Sequence, residues 1–103
     1  MKIQTHRDQT RSTIILSGDI DECGAEEVKA AFRDISSSNP QEVQVQMQGV
    51  THIGSAGIGK ILVFYKDLAI RGARLSLVQV PPGIAHLLRE MKLDTLFTIQ
   101  EGR

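Results

Sequence analysis

Net charge of either sign is missing from this chain. Lys and Arg together number 12, and so do Asp and Glu. The uniform basic field that non-specific nucleic-acid binding needs is therefore absent, and no nucleic-acid partner is expected. Cysteine is nearly absent as well. Cys23 stands alone, so no intramolecular disulfide can form, and no Cys/His spacing of a zinc site exists. A reducing, cytoplasmic setting is the expectation. No apolar run approaches the roughly 20 residues of a membrane span, and "MKIQTHRDQTRST" lacks the apolar core of a signal peptide. The chain is expected to be soluble and unprocessed, with no membrane insertion. Internal repeats, linkers and low-complexity tracts are also missing. His6, His52 and His86 are scattered over a strand, a strand end and a helix, and no Ser/His/Asp or paired-carboxylate arrangement can be read from the spacings. The expectation is a protein without catalytic residues, metal or cofactor.

What is present fits one compact α/β unit spanning 1–103: the chain has 103 residues, of which 41% are hydrophobic and 23% charged. Lys2 to His6 and Ser12 to Ser17 read as two strands joined by a polar hairpin link. The run Thr13, Ile14, Ile15, Leu16 looks buried on both faces. Ala25, Val28, Ala31 or Phe32, and Ile35 then recur at three- and four-residue steps, which predicts an amphipathic helix ending at "SSSNPQ", where Pro40 disfavours helix at Asn39. Val43, Val45 and Met47 alternate with Gln44, Gln46 and Gln48 in a strand with one polar face. Helical spacing resumes from Ala56 through Ile58, Ile61, Leu62, Tyr65, Leu68 and Ala69, with Gly72 placed as its C-terminal glycine. "ARLSLVQV" alternates as a strand, "PPGIAHLLREMKLDTLF" opens with prolines suited to a first helical turn, and "TLFTIQ" forms a last short strand. The order β-β-α-β-α-β-α-β implies a largely parallel, half-covered sheet of four or five strands with helices packed on it.

The stretch "GSAGIGK", Gly54 to Lys60, raises a sharper question. Its spacing follows a Walker A loop up to the last position, where Ile61 replaces the Ser or Thr that ligates magnesium, and no strand ends in an aspartate to hold the metal. The better reading is a strand ending at Ile53, a sharp turn at Gly54, and Ser55 capping a helix whose small residues admit a close neighbour. Gly57 and Gly59 weaken that helix by roughly 1 kcal/mol each relative to alanine, so close approach by a strand or by a partner protein must favour them. Asp19, Asp21 and Glu22 form an acidic cluster before the first helix, where the dipole favours them. They serve there as capping residues or as a contact for a basic partner surface. Cys23 is placed at the start of that helix, without a basic neighbour to activate it.

The element order, "LSGDID" after the second strand, "QGVTHIGSAGIGKIL" across strand and helix, and "RLSLVQVPPGIAHLLREMKLDTLF" together resemble the STAS domain of bacterial anti-sigma factor antagonists, over nearly the whole chain. The resemblance implies a cytoplasmic, non-enzymatic binding protein that pairs with a kinase-type anti-sigma factor. A serine at the start of the helix after the third strand takes phosphate from that kinase, which breaks the complex, and a phosphatase reverses it. The common family pattern there is Asp-Ser-Ser-Gly with the second serine modified; this chain has Gly54, Ser55, Ala56 and Gly57. A further aspartate of many members aligns with Gln46. A Ser-Ala-Gly version also occurs in the family, and it implies Ser55 as the switch residue. Asp19, Asp21, Gly54, Ser55, Ala56, Gly57, Ile58, Gly59 and Lys60 are then expected to form the docking face. The alternative is the small STAS subunit that packs against the ATPase of a phospholipid-transport ABC complex. It is suggested by the short C-terminus "TLFTIQEGR" and by the missing aspartate and second serine. Nucleotide binding at the glycine stretch is a third reading.

Overall fold

The computed structural model describes residues 1–102. Strands β1 (Lys2–Arg7) and β2 (Arg11–Ile20) form an antiparallel hairpin. They are followed by α1 (Glu22–Ser37), β3 (Glu42–Ile53), α2 (Ser55–Ile70), β4 (Arg74–Val80), α3 (Pro82–Glu90), a 3₁₀ turn at Leu93–Thr95 and β5 (Thr98–Glu101). The order of elements is the one expected, and the sheet has five strands in the order β1-β2-β3-β4-β5, parallel from β2 onward. Each parallel crossover steps to the next strand in the same direction, and right-handed crossovers then return on one face. That face is the core: Ile14, Leu16, Val43, Val45, Met47 and Leu77 are fully buried beneath Val28, Ile35, Phe64, Leu68 and Leu88 from the helices.

The opposite sheet face is uncovered, which corrects the expectation for β2. Ser12, Ile14 and Leu16 are buried, but Thr13 and Ile15 are only half-buried because no helix returns over them. A second correction concerns the chain after the last helix. α3 stops at Glu90, and Lys92 adopts a left-handed conformation with φ 63°. This turns the chain into the 3₁₀ segment, and the last strand begins at Thr98 rather than at Thr95 as "TLFTIQ" suggests. Other boundaries follow their signals. Pro82 occupies the first turn of α3, Gly72 takes φ +76° just past the end of α2, and α1 closes at Ser37, ahead of Asn39 and Pro40.

Two irregularities in the β2–β3 ladder shape the end of the sheet. The register passes from Ile15↔Gln46 to Ser17↔Gly49, and from Gly18↔Val50 to Asp19↔His52. Each step inserts an extra residue on β3, the signature of a bulge. Burial along β3 accordingly changes from every second residue to every third, at Met47, Val50 and Ile53. Gly49 is required at the first step, since a Cβ there would lie 2.6 Å from Ser17 Cβ. The result is that Asp19 faces His52, and Ile20 faces Ile53, at the carboxyl edge of the sheet.

Candidate functional site

Parallel strands with helical returns place every helix start at one edge of the sheet, the edge where open α/β sheets gather their ligands. Here β2 and β3 end side by side, tied by the Gly54 N–H donating to the Ile20 carbonyl at 3.1 Å. α1 and α2 begin immediately beyond. At α1 the cap is a side chain: Asp21 Oδ1 accepts the Gly24 N–H at 2.8 Å. The first N–H groups of a helix lack internal partners, so this bond satisfies one of them and places a carboxylate at the positive dipole end. Asp19 is part of β2 itself, not of a loop after it, and its Oδ1 lies 3.1 Å from His52 Nδ1.

At α2 the expectation for Ser55 is corrected. The N-cap is Gly54, in extended conformation and with no side-chain cap, while Ser55 is the first residue of the helix. Gly54 takes the cap position because its extended backbone ends the β3 strand and its carbonyl already accepts from Ile58 N–H at 3.1 Å. The exposed Ser55 hydroxyl makes no hydrogen bond among the described residues. α2 thus begins with free N–H groups and an unengaged hydroxyl in its first turn, a setting that stabilises added negative charge.

The other residues of this stretch divide by what they touch. A Cβ on Gly57 would lie 2.6 Å from Ile20 Cγ2 and 2.9 Å from Ile53 Cγ1, so only glycine lets α2 sit this close to the strand ends. Gly59 faces open space, and a Cβ there would meet nothing within 4 Å; the fold does not ask for glycine at this position. Ile58 is 7% exposed and belongs to the core, so the accessible residues of this stretch include Ser55, Ala56 and Gly59 but not Ile58 or the buried Gly57. Lys60 points sideways to α1, 3.7 Å from Glu26. Gly54 to Lys60 is also not a phosphate-wrapping loop: from Ser55 onward it is wound into helix. The Walker A spacing is therefore a coincidence of helix-start glycines.

Two contributors to this edge escape a reading of sequence spacing. His52 looks like one of three scattered histidines, yet the bulges of β3 bring it beside Asp19. A shallow hollow of about 390 Å³ also opens between the end of β3 and the start of α3, bounded by Thr51, His52, Pro81 and Leu87. Among the described residues, no three His, Cys, Asp or Glu side chains converge in a way that would hold a metal ion. No helix there is long and apolar enough to cross a membrane.

The half-covered, mixed sheet with an N-terminal hairpin is the fold of a STAS domain. The chain belongs to that family: the family model described as "Mlab, STAS domain" matches residues 3–100. Solved structures share the fold. An anti-sigma factor antagonist from Mycobacterium paratuberculosis has a TM-score of 0.85 at 19% identity, over 96% of this chain and 84% of that one. The Bacillus cell fate determinant SpoIIAA in its phosphorylated form gives 0.77 at 16% identity, over 95% and 90%. A sulfate transporter family protein from Wolinella succinogenes gives 0.78 at 18% identity, over 91% and 79%.

Proposed function

We propose that the chain is a non-catalytic, cytoplasmic regulatory module of the anti-sigma factor antagonist type, which binds a kinase-type anti-sigma factor and is released when Ser55 is phosphorylated. The observation that carries this reading is the start of α2: an uncapped helix N-terminus presenting an exposed serine hydroxyl in its first turn. The docking face consists of Asp19, Asp21, Gly54, Ser55, Ala56, Gly59 and Lys60, with Gly57 and Ile58 shaping it from beneath. Phosphate on Ser55 would bring about two negative charges to a surface that already carries Asp19 and Asp21, and repulsion together with desolvation expels the partner. A phosphatase restores the binding form. The family's structural relatives include proteins named as anti-sigma factor antagonists and one solved in a phosphorylated form. Incubation with the cognate anti-sigma kinase and ATP, followed by phosphosite mapping, tests the proposal. Neither binding nor modification at Ser55 would end it.

Three observations favour a second reading, a non-catalytic STAS subunit of a phospholipid-transport ABC complex. The usual acceptor position holds the methyl group of Ala56, the family model bears the name Mlab, and a sulfate transporter family protein shares the fold. Stable co-purification with an ABC ATPase that is insensitive to Ser55→Glu would select this reading over the first.

A further inference from the structure

α1 and α2 run side by side over the sheet, and their facing residues leave a groove of about 220 Å³. Its floor is the stacked pair Phe32 and Phe64, with ring centroids 4.1 Å apart and planes 9° from parallel. Its walls carry Lys29 and Arg33 from α1 and Lys60 and Val63 from α2. Lys29 and Arg33 lie one turn apart on the same helix face, and neither forms an ion pair with any described residue. Lys60 pairs only with Glu26, at 3.7 Å. The acidic groups that border the groove sit at its ends, Glu26 toward the start of α2 and Asp67 toward its far end. Its middle is cationic over an aromatic floor.

Apolar surface continues from the groove wall along α2. Val63 is 57% exposed and Ile70 is 83% exposed, and Gly59 one turn before Val63 has open space above it. Gly59, Val63 and Ile70 recur at helical spacing, a stripe roughly 17 Å long at 1.5 Å per residue. Exposed Lys66 and Asp67 lie in the turn between Val63 and Ile70, so the apolar anchors alternate with charge.

We propose that this groove and stripe seat an amphipathic acidic helix of a partner protein, its apolar side chains on Val63, Ile70 and the Phe32–Phe64 floor and its carboxylates, spaced three or four residues apart, on Lys29 and Arg33. The inference rests on the docking reading above and extends that contact from the Ser55 end along α2. The dimensions select the occupant. Small-molecule sites commonly span about 300–1,000 Å³; this groove is smaller and holds one or two side chains, while the exposed stripe beside it calls for a longer object. There is no free strand edge here, so the pairing is of helix in groove, read through anchors at i, i+3/i+4 and i+7. A second copy of this chain fits poorly. A two-fold contact places the same patch on itself, bringing Lys29 and Arg33 of both copies together with only Asp67 and the Lys60-paired Glu26 to answer them.

The test places a photo-activatable benzoylphenylalanine at Val63, or separately at Ala56, in the full chain expressed in its native cell, with sequencing of the cross-linked peptides. At Val63 the expected product joins a partner segment of helical apolar periodicity carrying at least two carboxylates at that spacing. The double variant Lys29→Glu/Arg33→Glu should lower its yield at least tenfold, with the thermal midpoint measured in parallel because Arg33 is exposed but Lys29 is half-buried; Arg33→Glu alone, expected to leave the midpoint unchanged, should lower the yield in the same direction. A Val63 cross-link with that charge dependence supports the proposal even where Ala56 gives none, in which case the Ser55-centred docking face is what fails. Cross-linking at Ala56 but not at Val63 overturns the groove and leaves the docking face standing. Silence at both positions removes both. A Val63 product with a second copy, with lipid or with a basic segment, or one indifferent to charge reversal, also overturns the groove.

Discussion

Gly57 stands where any side chain would strike Ile20: its Cβ would lie 2.6 Å from Ile20 Cγ2. Ile20 and Ile53, the two side chains in the way, are 1% and 5% exposed, so neither has free volume to yield. α2 can approach Ile20 and Ile53 at the carboxyl edge of the sheet only because this residue lacks a Cβ.

Gly57→Ala and Gly59→Ala should therefore differ in sign. Overpacking at a buried site costs about 1–3 kcal/mol, and replacing a helical glycine by alanine returns about 1 kcal/mol. Gly57→Ala is expected to lower unfolding free energy by up to about 2 kcal/mol. Gly59→Ala, with open space around it, is expected to raise it by about 0.5–1 kcal/mol. Urea denaturation at constant m-value checks both; equal midpoints for the two variants would show that Ile20 and Ile53 relax.

These glycines mark the boundary of what the sequence discloses. Period-2 and helical spacing place all five strands and three helices in order, because burial on one face writes itself into local pattern. Pro82, Gly72 and Pro40 bound their elements for equally local reasons. The bulges of β3 are harder to read, although the change from alternation to three-residue spacing at Met47, Val50 and Ile53 carries them; pairing across strands decides where an extra residue goes. The same holds at Ser55. A serine before a helical run signals a cap, but Gly54, already extended and bonded to Ile20, takes that place. Lys60 facing Glu26, and Lys29 facing Val63 across a groove, depend on the mutual rotation of two helices, which no local spacing encodes.

Asp21→Ala should weaken the protein by about 1 kcal/mol, within the usual range of roughly 0.5–2 kcal/mol for a lost N-cap. The Gly24 N–H loses its acceptor at 2.8 Å, and the first turn of α1 loses a carboxylate. Asp21→Asn, which keeps the acceptor and removes the charge, should recover most of the loss. Thermal or urea unfolding of the pair separates the hydrogen bond from the dipole effect.

Lys92→Gly should stabilise the fold. Lys92 holds φ 63° between α3 and the 3₁₀ turn, a conformation that costs an L-residue about 1–2 kcal/mol and glycine almost nothing. The greater freedom of glycine in the unfolded chain offsets about half of this. A net gain of about 0.5–1 kcal/mol is expected in urea unfolding. A loss instead would show that the Lys92 side chain makes contacts that outweigh its backbone strain.

Ser55→Ala and Ser55→Asp separate stability from binding at the proposed switch. Because Ser55 is the first helical residue and its hydroxyl bonds to nothing described, its removal costs no cap, and alanine is the better helix former. Ser55→Ala is expected to be neutral or to stabilise by a few tenths of a kcal/mol. Ser55→Asp also keeps the fold, since a carboxylate in the first turn is favoured by the dipole by about 0.3–1 kcal/mol. Binding should diverge where stability does not. In a docked complex the aspartate would be desolvated beside Asp19 and Asp21 without a matching cation, and a buried unpaired charge commonly costs about 3–5 kcal/mol. That corresponds to an affinity loss of two orders of magnitude or more, while the Ala variant binds as the parent does and no longer responds to the kinase. Calorimetric titration of both variants against the partner, with unfolding curves measured in parallel, reads the two effects independently. Equal affinities for the Asp and Ala variants would place Ser55 outside the docking face, and with it the start of α2.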